Sequence, residues 1–187
     1  MSEVHKVLDA LMEEGGAARV HFYTWWALRN VALPEFYDAM NNLAHVDFFH
    51  ASNSGHYKLF FLSLSKIFDR DSRVSGISRL KDALRDEGHP QLADELQAKL
   101  IPMESAVTRV MSIRNKTIVH NERALPREKV YEINGISPDE VRELIDSICE
   151  ALNSIADGLG LSNRISNGDR HERATIAMLT TLRKGET

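Results

Sequence analysis

Apolar residues recur at three- and four-residue spacing along almost the whole chain, the pattern of helices that each bury one face. Val4, Val7, Leu8 and Leu11 open it. Gly15-Gly16 then predicts a break or bend, because glycine is costly inside a helix. A second run, Ala18 to Leu33, carries His21, Phe22, Tyr23, Trp25 and Trp26. Adjacent tryptophans on a helix point about 100° apart. One is expected to face the core and the other a partner subunit. Pro34 suits the first turn of the next helix, which tolerates a missing N–H. Phe36, Met40, Leu43, Ala44 and Phe48 mark one face, and Tyr57, Phe60, Phe61, Leu64, Ile67 and Phe68 mark the next. Ser52-Asn53-Ser54-Gly55 reads as a loop between them, so Phe36 to Phe68 is expected as one interrupted helix or two.

Asp69-Arg70-Asp71-Ser72 is a polar turn. Ser75 or Ser78 is placed to cap a short helix through Glu87, with Leu80 and Leu84 inward. Gly88-His89-Pro90 ends it, and another helix starts near Gln91. Pro102 to Asn121 is predicted helical, with Pro102 at its start or at a kink. Its stripe is Val107, Val110, Met111, Arg114 and Ile118. Ala124 to Ser137 is the one long non-helical stretch, a short strand or a loop. Ser137-Pro138-Asp139-Glu140 is a strong helix start: a serine cap, a proline in the first turn, and a glutamate placed for a capping box. Val141, Leu144, Ile145, Ile148, Leu152 and Ile155 then form the clearest amphipathic face. Gly158 and Gly160 end that helix. The sum is an all-α, single-domain helical bundle of five to seven helices over residues 1–187, with 168–187 a peripheral C-terminal helix or tail.

Composition narrows the function. The chain has 187 residues, 43% of them hydrophobic and 27% charged, enough to build a core without staples. Cys149 is the sole cysteine, so disulfide scaffolds and cysteine-based zinc sites are excluded. Beside the amphipathic face, it reads as a small core residue. One thiol without a secretion signal suits the cytoplasm, and no apolar run is long enough to span a membrane. The net charge of −4 disfavours coating nucleic acid by bulk charge. Locally the balance differs. Met103 to Lys129 holds six cations (Arg109, Arg114, Lys116, Arg123, Arg127, Lys129) against three anions (Glu104, Glu122, Glu128). That segment is either a solvated helix face or a patch for a polyanion.

No phosphate loop, dinucleotide fingerprint or serine elbow is present. Among the eight histidines, His45, Asp47, His50 and His56 cluster in sequence. Helical spacing does not bring the first three to one face, so no metal and no cofactor is expected. His21 reads as a packing neighbour of Trp25. The aromatics Phe22 to Trp26 read as core or interface before base-stacking platform.

Ile113 to Glu122 is different. Arg114 sits on the apolar stripe of its own helix, where a guanidinium needs a reason to be. The reason is either a structural ion pair, with Asp69 or Glu104 as candidates, or an anion that visits a cleft. Asn115, Lys116, His120 and Asn121 add hydrogen-bonding groups nearby. Arginine grips a phosphate, and histidine moves protons near neutral pH.

Arg114-Asn115-x4-His120 matches the Arg-x(4–6)-His pattern of the HEPN superfamily. The stretch Phe61 to Asp71, followed by Ser78-Arg79-Leu80, resembles its abortive-infection AbiU-type branch, and the likeness spans roughly Leu43 to Leu152. The resemblance implies a compact helical bundle that forms a homodimer and cuts RNA without metal at the subunit interface, through the RNA's own 2′-hydroxyl. It implies Arg114 and His120 as catalytic residues, with Asn115, Lys116 and Asn121 binding substrate. It also implies an antitoxin or nucleotidyltransferase partner. Glu122 stands where the branch silenced by nucleotide transfer carries tyrosine, so that regulation is not expected here. On a straight helix Arg114 and His120 lie about 120° apart, and a kink or a second subunit has to bring them together. The alternative reading is a non-catalytic HEPN-like module that binds a nucleotide, RNA or protein partner.

Overall fold

A computed structural model describes residues 1–32, 34–71, 73–115 and 135–185. All regular structure among them is helical. Seven helices have ten residues or more: α1 (Glu3–Trp26), α3 (Val46–Ile67), α4 (Ile77–Asp86), α5 (Pro90–Leu100), α6 (Glu104–Ile113), α7 (Pro138–Gly158) and α8 (Asp169–Gly185). A short α2 (Tyr37–Asn41) follows a π-helical turn at Ala27–Val31, and a 3-10 turn at Ile101–Met103 leads into α6.

Side-chain chemistry sets several of the helix starts, and the expected start at Ser137 is among them. Ser2 caps α1 by accepting from the His5 N–H. Ser137 accepts from the Glu140 N–H at 3.2 Å while the Glu140 carboxylate accepts from the Ser137 N–H at 2.8 Å, a complete capping box. Pro90 opens α5. Three expectations are corrected. Gly15-Gly16 breaks nothing, and α1 runs straight through it. A Cβ at Gly15 would meet Ile165 Cδ1 at 3.1 Å and Leu152 Cδ1 at 3.4 Å, so the missing side chain lets α7 and the segment after it approach closely. Ser52 to Gly55 is no loop but the middle of α3; the interruption falls at Asn42–His45 instead. The cap position of α4 is Gly76, neither Ser75 nor Ser78.

Helix α1 is the axis of the bundle, packed mainly on α3 and also against α7, α4 and α8. The main core joins Leu8, Leu11 and Phe22 of α1 to Phe60, Phe61 and Leu64 of α3, Leu80 and Leu84 of α4, Leu96 of α5, Ile113 of α6 and Leu144, Ile148 and Leu152 of α7. A smaller cluster joins Leu28, Ala32, Phe36, Met40 and Phe49 to Leu179 of α8, which is how the C-terminal helix is held. Trp25 and Trp26 both pack against the main core and both stay partly exposed.

Candidate functional site

Arg114 follows the last residue of α6, where Val110 and Ile113 are fully buried and anchor the helix. The backbone turn at Arg114 and Asn115 is wider, π-type, a local geometry frequent at functional sites. Arg114 is half-buried. Its Nη1 donates to Asn115 Oδ1 at 2.8 Å. Its Nε is buried and has no hydrogen-bond acceptor among the described residues. A buried, uncompensated donor on a cation is costly, and an anionic acceptor would relieve it. Among the described residues Arg114 makes no ion pair with Asp69 or Glu104. Lys116, His120 and Asn121, the other expected site residues, lie outside the described residues, as does most of Ala124 to Ser137.

One helical turn and a half earlier, Arg109 ties α6 to the start of α7. Its Nη1 donates to the Gly135 carbonyl and its Nη2 to Glu140 Oε1, both at 2.7 Å. This contact holds the Glu140 carboxyl down to about 2, with the Ser137 N–H as the second cause. Ile136 and Pro138, just beside the tie, line a cavity of about 190 Å³ with Trp25, Tyr57, Phe60 and Val141. Arg142 stacks over Trp26 at 4.9 Å. The end of α6 thus stands at the aromatic end of the bundle, where the starts of α7 and the later turns of α1 meet.

The histidines separate. His45 precedes α3, and His50 is exposed beside a different cavity with Tyr37 and Asn53. His56 faces His21 across α1 and α3, a pairing that spacing along the sequence cannot reveal. No group of three His, Cys, Asp or Glu able to hold a metal occurs among the described residues. Cys149 is fully buried and its Sγ points to the Gly15 carbonyl at 3.4 Å; burial pushes its thiol up to about 12, the mark of an inert core cysteine. No helix among the described residues is long and apolar enough to cross a membrane.

A family model described as AbiU2, of the HEPN type, matches residues 1–173. The chain belongs to the AbiU2 family. The match runs from the start of α1 into the first turn of α8, and is wider than the Leu43 to Leu152 likeness read from the sequence. It includes the Arg114–Asn121 segment. As an AbiU2 protein the chain is a HEPN-like abortive-infection module built as an all-helical bundle. No curated protein and no solved structure matches it.

Proposed function

We propose that this AbiU2 protein is a metal-independent endoribonuclease that cleaves RNA in a cleft between two copies of the chain. The observation that carries the reading is Arg114: a guanidinium at the end of a core-packed helix, with a buried Nε that has no acceptor among the described residues. A scissile phosphate supplies that acceptor, and a preorganised cation is most effective where charge develops. His120, six residues on, acts as general acid–base. The RNA 2′-hydroxyl loses its proton and attacks the adjacent phosphorus. The bond to the 5′-oxygen breaks, and that oxygen takes up a proton. The products are a 2′,3′-cyclic phosphate and a 5′-hydroxyl. Arg114 holds the non-bridging oxygens, Asn115 orients the guanidinium through its Oδ1, and Lys116 and Asn121 contact neighbouring phosphates. A second copy supplies the opposing Arg114 and His120, which a single straight helix would splay apart. A cognate antitoxin would restrain the activity in the cytoplasm.

The test is cleavage of mixed RNA by the purified chain in EDTA, beside His120→Ala, with product ends analysed. Wild-type cleavage to cyclic phosphate ends, lost in His120→Ala, supports the proposal. RNA that is bound by both proteins and cut by neither replaces it with the binding-module reading. Equal cutting by both removes His120 from the mechanism.

A further inference from the structure

His21 of α1 and His56 of α3 meet with their Nδ1 atoms 2.9 Å apart and their ring centroids 5.0 Å apart. Both rings are about half-buried at the most extensive helix–helix contact of the bundle. At that distance one Nδ1 carries the proton and donates, and the other accepts, so the two rings hold opposite tautomers. We propose that this pair is a proton-controlled clasp between α1 and α3, closed by one shared N–H and opened by double protonation.

The proton count defines the switch. The neutral pair holds one proton between the Nδ1 atoms. A first added proton goes to the outer Nε2 of the donating ring and leaves the bridge intact, now charge-assisted. A second must go to the accepting Nδ1. Two N–H groups on two cations then face each other at 2.9 Å, and the rings have to part. Burial lowers both rings from the ordinary value of 6.5, and for His56 the charge of His21 lowers it further. On α1 the neighbouring ionisable groups, Arg19 and Tyr23, are engaged with Asp146. On α3 they are Tyr57 and the exposed Lys58. None of these neighbours is a free carboxylate that could stabilise a doubly charged pair.

The clasp borders the aromatic cavity. Trp25 lies one turn beyond His21, Tyr57 directly follows His56, and the two rings are 5.6 Å apart in the cavity wall. Parting the histidines loosens that wall. The inference does not depend on the ribonuclease reading, and its test needs no cleavage.

The measurement is a long-range nitrogen NMR titration of the imidazoles in the full chain, from about pH 8 to about pH 5 with EDTA present. His21 and His56 are expected to show opposite tautomers at the alkaline end and two separated protonation steps below 6.5. A His21→Asn, His56→Asn double variant keeps polar atoms near the Nδ1 positions and removes the charge. It should lose about half or more of the acid-induced fall in Tm over that range, together with the accompanying change in tryptophan emission. His171 titrates low for its own reasons and is present in both proteins, so the difference isolates the pair. Identical tautomers with independent titration near 6.5, or an unchanged pH profile in the variant, would overturn the clasp. If the variant fails to fold, the wild-type titration alone decides.

Discussion

Arg19 and Asp146 are 127 residues apart in the chain, and Arg19 Nε donates to Asp146 Oδ1 at 3.0 Å inside the α1–α7 interface. Arg19 is only 6% exposed. Its remaining donors reach the Ser166 carbonyl at 3.0 Å and the Asp146 carbonyl at 3.3 Å, while the Tyr23 hydroxyl donates to Asp146 Oδ2 at 2.7 Å. Burial, then this carboxylate, holds the Tyr23 phenol far above its ordinary range. The cation is thus buried and fully paired, and one network ties α1, α7 and the segment before α8 together. Asp146→Ala leaves that guanidinium uncompensated. It should cost about 3 kcal/mol, the lower end for a broken buried pair because Asp146 is partly exposed. Tyr23→Phe, which removes one hydrogen bond and no charge, should cost about 1 kcal/mol. Chemical denaturation of the two variants checks the ranking, and equal losses would contradict it.

Arg114 is the opposite case. Among the described residues its Nη1 donates to the side chain of its neighbour Asn115, and its Nε has no acceptor. Removing it breaks no ion pair among the described residues. Arg114→Ala should therefore change stability by about 1 kcal/mol or less, well below Asp146→Ala, while abolishing RNA cleavage. Side-by-side melts and cleavage assays test this. A stability loss as large as that of Asp146→Ala would return Arg114 to a structural role.

The contrast also shows what a one-dimensional pattern carries. Helix α7 was legible to the residue, because Ser137, Pro138 and Glu140 cap it through neighbours in sequence and its apolar face repeats cleanly. Arg114 was legible as an anomaly, because a cation on an apolar stripe violates its own helix. Arg19 sits on α1 in much the same way, but its partner lies 127 positions away, and only the assembled bundle shows that the charge is satisfied. The His21–His56 pair was hidden for the same reason. Gly15 misled, since a glycine in a helical pattern reads as a breaker until the element packed against it is known. Ser52 to Gly55 misled too: a run of small and polar residues in the middle of a long helix, three of the four half-buried, looks like a loop when the apolar stripe thins.

Gly168 makes a prediction about how the C-terminal helix is held. A Cβ at this position would overlap the Tyr23 ring. That ring is fixed by its hydrogen bond to Asp146 and by an edge contact with Phe22 at 5.7 Å, so it has little freedom to withdraw. Gly168→Ala should destabilise the protein by about 2 kcal/mol, as overpacking does. Its effect should shrink in a Tyr23→Ala background, where the ring is gone. A double-mutant cycle by thermal denaturation measures that coupling, and strict additivity would mean that the tail packs elsewhere.

Glu140 links acid stability to the α6–α7 junction beside Arg114. Its carboxylate accepts from Arg109 Nη2 and from the Ser137 N–H, and these two contacts pull it from 4.5 in the ordinary state down to about 2. The folded form therefore keeps this carboxylate ionised at acidities where the unfolded chain has already protonated it. Its stabilising contribution is complete above about pH 4.5 and is lost as pH falls toward about 2. Glu140→Gln retains an oxygen for the cap and removes the charge, so stability should depend less steeply on pH within that window while the profile above it keeps its shape. Acid unfolding followed by circular dichroism gives the two slopes. If they coincide, Arg109 does not grip Glu140 in solution, and the tether that sets the end of α6 against the start of α7 lies elsewhere.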